Sequence, residues 1–218
     1  MRFFIDTANL AQIEEAMTMG VIGGVTTNPS LMAKEGISGE KNVNNHYKAI
    51  AKLVGSRDVS AEVIATDFEG MKREGEMFAG LADNIVVKVP MIKEGLKAIN
   101  YFKENEIRTN CTLIFSAGQA LLAANAGANF VSPFIGRIDD MGMNGLNLIE
   151  EIFDIFQKQI IDTEILAASI RNPLHIIESA KLGADVATCP LKTIEALLYH
   201  PLTDKGLAQF MEDAKKLS

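Results

Sequence analysis

Apolar and polar positions along the chain alternate between two rhythms. Short runs of branched and aromatic residues read as strands, and each leads into a stretch with apolar positions three and four apart, the spacing of a helix. Arg2 to Asp6 is the first strand, followed by a helix carrying Leu10, Ile13 and Met17. Gly24 to Pro29 is a second strand running into a polar turn, with a Gly- and Asn-containing connection before a helix over Tyr47 to Leu53. Val59 to Ile64 is a third, carrying Glu62 among small and branched residues, with a helix through Met71 and Phe78 behind it. Asn84 to Pro90 is a fourth, an aliphatic run interrupted only by Lys88 and ended by a proline that removes a ladder donor. A helix with Leu96, Ile99 and Phe102 follows.

Arg108 to Phe115 is the fifth strand, with Asn110 and Thr112 in it, and the helix after it is alanine-rich around Leu121 and Leu122. Ala128 to Phe134 is the sixth, leading into a polar, glycine-bearing loop over Gly136 to Gly142 and then a helix with Ile149, Ile152, Phe153, Phe156 and Ile160. Glu164 to Ser169 is the seventh, with a helix begun by Pro173, and Ala184 to Thr188 the eighth, with a helix opened by Pro190. After Pro201 a last amphipathic helix, about residues 203–217, carries Leu207, Phe210, Met211 and Leu217.

Eight strands alternating with eight helices predict a parallel sheet, and the count of eight points to a closed (β/α)8 TIM barrel with an extra C-terminal helix. An open doubly wound sheet is the runner-up. No G-x-G-x-x-G follows the first strand and no G-x-x-x-x-G-K-[ST] occurs, which disfavours the usual nucleotide-binding versions of that sheet. No Pro-, Ser- or Gln-rich linker divides the 218 residues, so one barrel domain over 1–218 is expected. The final helix lies outside the eight units, and its apolar face is expected to cap the barrel or to pack on a neighbouring subunit of a homo-oligomer.

Composition narrows the partners. A net charge of -7 and pI near 5.1 argue against a nucleic-acid or anionic-membrane partner, which needs a basic face. The N-terminal Met-Arg-Phe-Phe-Ile-Asp reaches an acid after three apolar residues, too early for a signal h-region, so a cytoplasmic protein is expected. Cys111 and Cys189 show no CxxC or ligand spacing, and His46, His175 and His200 form no metal pattern. Both cysteines are expected to be buried thiols, with no metal and no cofactor.

In a parallel barrel the C-terminal strand ends share one mouth. The unusual polar residues keep that address: Asp6, Asn28, Glu62, Lys88, Asn110, Thr112, Ser132 and Ser169 lie in or just after strands one to seven. Dull explanations exist for each. Asp6 could cap a helix, Asn28 could turn with Pro29, and Glu62 could simply pair with Lys88. Taken together they describe chemistry. A neutral amine adds to a ketone and loses water to give an iminium, a carboxylate such as Glu62 shuttles the proton, and a second such as Asp6 deprotonates a hydroxyl so that a carbon-carbon bond breaks toward the iminium. Arg137 and Arg171, two of only six arginines, follow strands six and seven and read as a phosphate handle with Ser169; pairing with surface acids such as Asp139 is the alternative.

Gly24-Val25-Thr26-Thr27-Asn28-Pro29-Ser30-Leu31-Met32 resembles the first signature of the transaldolase family at every position, and Ile85-Val86-Val87-Lys88-Val89-Pro90 resembles its lysine signature. Glu94-Gly95-Leu96 fits the second signature too, while Ile92 and Asn100 depart from it. The chain is similar nearly end to end to the short branch of that family, which also contains the fructose-6-phosphate aldolases. The resemblance implies a metal-independent enzyme with a Schiff base at Lys88, Asp6 as acid/base at the cleaved bond, and Glu62 working through a water with Thr112. It implies Asn28 and Asn110 on the dihydroxyacetone part, Thr26 and Ser132 lining the site, and Arg137, Ser169 and Arg171 on the phosphate.

Aldolases of this branch tend to carry Gln at the position of Glu62 and Tyr at that of Phe134; this chain has Glu62 and Phe134, and phenylalanine cannot protonate the three-carbon enamine. Transfer is therefore the expected outcome, with a dihydroxyacetone unit moving between sedoheptulose 7-phosphate or fructose 6-phosphate and glyceraldehyde 3-phosphate or erythrose 4-phosphate, as in the pentose phosphate pathway. A fructose-6-phosphate aldolase and a non-catalytic phosphosugar-binding barrel are the alternatives. Short members are pentamer-based decamers, so the same assembly is expected by resemblance.

Overall fold

The computed structural model describes residues 1–217. Eight strands, β1 (Arg2–Asp6), β2 (Ile22–Thr26), β3 (Asp58–Glu62), β4 (Ile85–Pro90), β5 (Thr109–Ile114), β6 (Phe130–Pro133), β7 (Glu164–Ala167) and β8 (Val186–Cys189), pair in parallel in chain order. β1 also pairs with β8, which closes the barrel. The helices are α1 (Leu10–Thr18), α2 (Pro29–Lys34), α3 (Glu40–Val54), α4 (Phe68–Ala79), α5 (Lys93–Glu104), α6 (Ala117–Ala126), α7 (Ile135–Asp139), α8 (Leu146–Gln159), α9 (Pro173–Lys181), α10 (Leu191–Glu195) and α11 (Pro201–Ala214), with a 3-10 turn at Ala196–Leu198. The (β/α)8 barrel and its extra C-terminal helix are as expected.

Two elements were not expected. α2 replaces part of the connection after β2, because Pro29 stands at its first position and the Asn28 side chain accepts from the Leu31 N–H. α7 forms where a polar loop is predicted. At six and five residues, both helices are too short to display an apolar period. Element bounds also shift: β2 starts earlier, at Ile22, and stops at Thr26, β3 runs from Asp58 to Glu62, β7 stops at Ala167, α8 stops at Gln159 with Ile160 exposed beyond it, and α11 runs from Pro201 to Ala214.

Inward-facing side chains on most of each strand are the even-numbered residues, since side chains alternate; the register shifts in the β1–β2 and β5–β6 pairs break the pattern at Ile22 and Ile114, which pack in the outer core. They fill the barrel in layers. At the N-terminal ends Asp58 pairs with Arg2 at 3.7 Å and with Arg108 at 2.7 Å, and Arg2 pairs also with Glu164. Above this ionic floor Phe4, Val86, Phe130, Leu166 and Val186 form an apolar plug. Gly24 is required beside it, because a Cβ there would lie 2.6 Å from the Phe4 ring. Odd-numbered positions such as Ile5, Val25, Val59, Val87, Val89 and Val131 pack outward against the helices and are buried. Lys88 thus belongs to a strand covered on both faces, with its own side chain turned to the barrel axis.

Candidate active site

Above the apolar plug the inward layer turns polar. Asp6 faces Thr26 across the β1–β2 pair, Glu62 faces Lys88 across β3–β4, and Lys88 faces Asn110 across β4–β5. Lys88 is 5% exposed, and Nζ lies 3.0 Å from Glu62 Oε2 and donates to the Thr27 carbonyl at 3.1 Å. Desolvating an ammonium costs several kcal/mol, and these two partners offset that cost and hold the side chain in place. Asp6 is half-buried, and desolvation holds its carboxyl above the ordinary carboxylate value; Lys88 and the 2.7 Å hydrogen bond from Thr26 Oγ1 oppose the shift without cancelling it. A carboxylate with raised pKa is a stronger base, closer to neutral working pH.

The remaining expected residues gather at the same end. Asn110 is fully buried; its Nδ2 donates to Ser60 Oγ at 3.1 Å and its Oδ1 accepts from Ser132 Oγ at 2.7 Å. Thr112 is also fully buried, and its Oγ1 has no hydrogen-bond partner within the protein. A buried unsatisfied hydroxyl costs about 1–3 kcal/mol, and Thr109 Oγ1 and Ser179 Oγ share that state. Asn28 lies beyond β2 with its Oδ1 used as the α2 cap, which leaves its Nδ2 as the group available to a ligand.

Phe134 stands above the plug, edge-on to Phe115 with centroids 5.8 Å apart, and the Arg137 guanidinium lies 4.9 Å over its ring. Arg171 pairs with Asp140 at 2.7 Å, not with Asp139; both partners are about half exposed or more, so the pair is worth at most about 1 kcal/mol. Ser169 has φ of 59°, a left-handed backbone that non-glycine residues seldom adopt. Gly136 explains how the two arginine-bearing segments come together. A Cβ at Gly136 would lie 2.1 Å from the Ser169 carbonyl and 2.6 Å from Arg171 Nε.

Four participants were not singled out from the sequence. Thr188 hydrogen-bonds Thr26 at 2.6 Å, Ser60 holds Asn110, the Thr27 carbonyl receives Lys88, and Tyr47 reaches in from α3. The Tyr47 hydroxyl accepts from the Glu62 N–H at 3.2 Å and lies 3.1 Å from Thr27 Oγ1, with its pKa pushed up to about 12 by burial. Even-numbered parity in β3 and β8 would have found Ser60 and Thr188; nothing in the sequence points Tyr47 at Glu62. β5 also carries an irregularity: its register against β6 shifts between Cys111 and Ile114, and Leu113 has φ of 62°. Cys111 and Cys189 are buried free thiols, each with its pKa pushed up to about 12 chiefly by burial. No group of three or more potential metal-binding side chains exists among the described residues. A groove of about 550 Å³ lined by Lys48, Lys52, Leu81 and Asn84 lies at the opposite, N-terminal end of the strands, away from the acids and Lys88.

The arrangement defines a class: an eight-stranded α/β barrel with a buried lysine paired with a carboxylate at its C-terminal mouth. Residues 3–218 match the family model described as Transaldolase/Fructose-6-phosphate aldolase, and the chain belongs to that family. It is 62% identical over its full length to the whole of a protein named "Probable transaldolase" from Bacteroides thetaiotaomicron, and 61% identical, again with both chains covered in full, to one of the same name from Cytophaga hutchinsonii. A crystal structure of dihydrodipicolinate synthase from Rhodopseudomonas palustris superposes with a TM-score of 0.63 at 15% identity, covering 98% of this chain and 79% of that one, which is a likeness of fold. No helix among the described residues is long and apolar enough to cross a membrane.

Proposed function

We propose that this protein is a transaldolase that carries a dihydroxyacetone unit on Lys88 from a ketose phosphate to an aldose phosphate. The observation that carries this reading is the buried Lys88–Glu62 contact at 3.0 Å, with Asp6 in the same polar layer. Glu62 takes a proton from Lys88, and the neutral amine attacks C2 of the ketose. Glu62, with Thr112 holding a water, returns protons to the carbinolamine so that water leaves and the iminium forms. Asp6 removes the C4 hydroxyl proton, the C3–C4 bond breaks, its electron pair moves into the iminium as an enamine, and the aldose departs. An incoming aldehyde is attacked by the enamine carbon while Asp6 returns the proton, and hydrolysis of the new iminium frees the product ketose.

Asn28 Nδ2 and Asn110 bind the hydroxyls of the three-carbon unit, Thr26 and Ser132 orient Asp6 and Asn110, and Arg137, Ser169 and Arg171 hold the phosphate. Phe134 supplies no proton near the enamine, which favours transfer over release. The reading places the protein in the cytoplasm, acting on sedoheptulose 7-phosphate, fructose 6-phosphate, glyceraldehyde 3-phosphate and erythrose 4-phosphate without cofactor. It also gives the exposed apolar face of α11, with Leu202, Leu207 and Phe210, a second copy of the chain as partner in a pentamer-based decamer.

A two-substrate assay tests it. Fructose 6-phosphate alone should give only slow dihydroxyacetone release, and adding erythrose 4-phosphate should produce sedoheptulose 7-phosphate at catalytic rate. Borohydride added with fructose 6-phosphate should modify Lys88. Steady dihydroxyacetone release without acceptor would instead identify an aldolase, and absence of an adduct at Lys88 would end the Schiff-base reading.

A further inference from the structure

His175 takes no part in the chemistry above, yet it is 7% exposed and both ring nitrogens are engaged. It sits in the first turn of α9, where Asn172 caps the helix by accepting from the His175 N–H at 3.0 Å. Nδ1 accepts the Arg171 backbone N–H at 3.3 Å. Accepting there leaves the hydrogen on Nε2, which donates to Asp139 Oδ2 at 2.9 Å. Asp139 in turn ends α7, two residues from Arg137, and its Oδ1 accepts the Gly145 N–H at 2.8 Å, just ahead of α8. One imidazole therefore spans the segment carrying Arg137 and the segment carrying Arg171, at the place where Gly136 lets them touch.

We infer that His175 is a positioning residue that fixes the separation of Arg137 and Arg171, and so sets the affinity of the site for the substrate phosphate. The inference rests on the phosphate-binding role assigned to those arginines above. Its physical basis is preorganisation: two guanidinium forks grip one dianion well only when their spacing is held before binding. Neither arginine has a buried carboxylate to hold it, since Arg171 pairs with the exposed Asp140 and Arg137 stacks on Phe134, so the backbone tie through His175 supplies the rigidity. His175 touches no reacting group, and the effect of losing it should fall on phosphate recognition and not on bond breaking.

The test compares His175→Ala, His175→Gln and Arg171→Ala with the parent on fructose 6-phosphate and on unphosphorylated fructose, each with erythrose 4-phosphate as acceptor. His175→Ala should raise KM for fructose 6-phosphate and the inhibition constant of inorganic phosphate by about tenfold each, with kcat within about twofold. Its kcat/KM for fructose should stay within about twofold of the parent. His175→Gln, which can still donate to Asp139, should recover part of the lost affinity and keeps the question answerable if the alanine variant does not fold. Equal losses on both donors, or no change in either phosphate measure, would overturn the inference. Arg171→Ala separates the two levels: if it weakens phosphate binding while the His175 variants do not, the positioning role alone fails, and if it has no effect the phosphate site itself is misassigned and the inference falls with it.

Discussion

Asp6 shows what a single residue contributes and costs. Its carboxyl is partly desolvated by the neighbouring strands, so the neutral form suits the fold better than the anion, and the folded-state pKa stands above the unfolded one. The stability associated with the neutral form is complete below the ordinary carboxylate value of 3.8 and is lost as pH rises through the folded-state pKa. Asp6→Asn stays neutral at every pH while its amide oxygen can still accept from Thr26. Its melting temperature should therefore exceed the parent's by a margin that widens from about pH 4 toward neutrality, while turnover falls by about 10²- to 10⁴-fold because no base remains at the cleaved bond. Thermal melts across that pH range, alongside the transfer assay, check both halves; a variant less stable than the parent at neutral pH would contradict the burial argument. The residue types were legible from the chain, because acids and a lysine among aliphatics demand a reason. Their pairing was legible too, since Glu62 and Lys88 occupy matching places in adjacent strands. The raised pKa of Asp6 was not, because it depends on how completely the neighbouring strands exclude water.

At the scale of elements, the site depends on where short segments touch. α2 and α7 were missed because five or six residues cannot show a period, yet α2 uses up one side of the Asn28 amide and α7 carries Arg137. α7 lies against the turn after β7 so closely that Gly136 has no room for a side chain. Gly136→Ala should force these segments apart, lower stability by about 1–3 kcal/mol and raise KM for the phosphorylated donor more than it lowers kcat. Denaturant titration and steady-state kinetics read the two effects; a variant with parent-like stability and KM would show that the contact is slack. The strands themselves were readable because a sheet covered on both faces is continuously aliphatic, whereas their ends depend on partners and shifted by one to a few residues.

For the whole molecule, the barrel separates its tasks along its axis: an ionic floor, an apolar plug and a polar mouth. Asp58 bridges Arg2 and Arg108 in the floor, on the far side of Phe4 and Phe130 from Lys88. Asp58→Ala leaves Arg108 without its acid while Arg2 keeps Glu164, and should lower stability by about 1 kcal/mol while leaving KM and kcat near the parent's, as measured by unfolding and the transfer assay. A change in catalytic constants at full folding would mean that the floor and mouth are coupled. The sequence by itself determined the alternation of strands and helices, the count of eight, the burial of both cysteines, and the polar set led by Lys88, because side-chain hydrophobicity and backbone propensity act locally and leave a periodic trace. Only the tertiary structure decided which strand positions face inward together, that Tyr47 supports Glu62, that Arg171 meets Asp140 and that His175 ties two loops. Those outcomes depend on barrel closure and register, which bring residues far apart in the chain into contact and which no local pattern records.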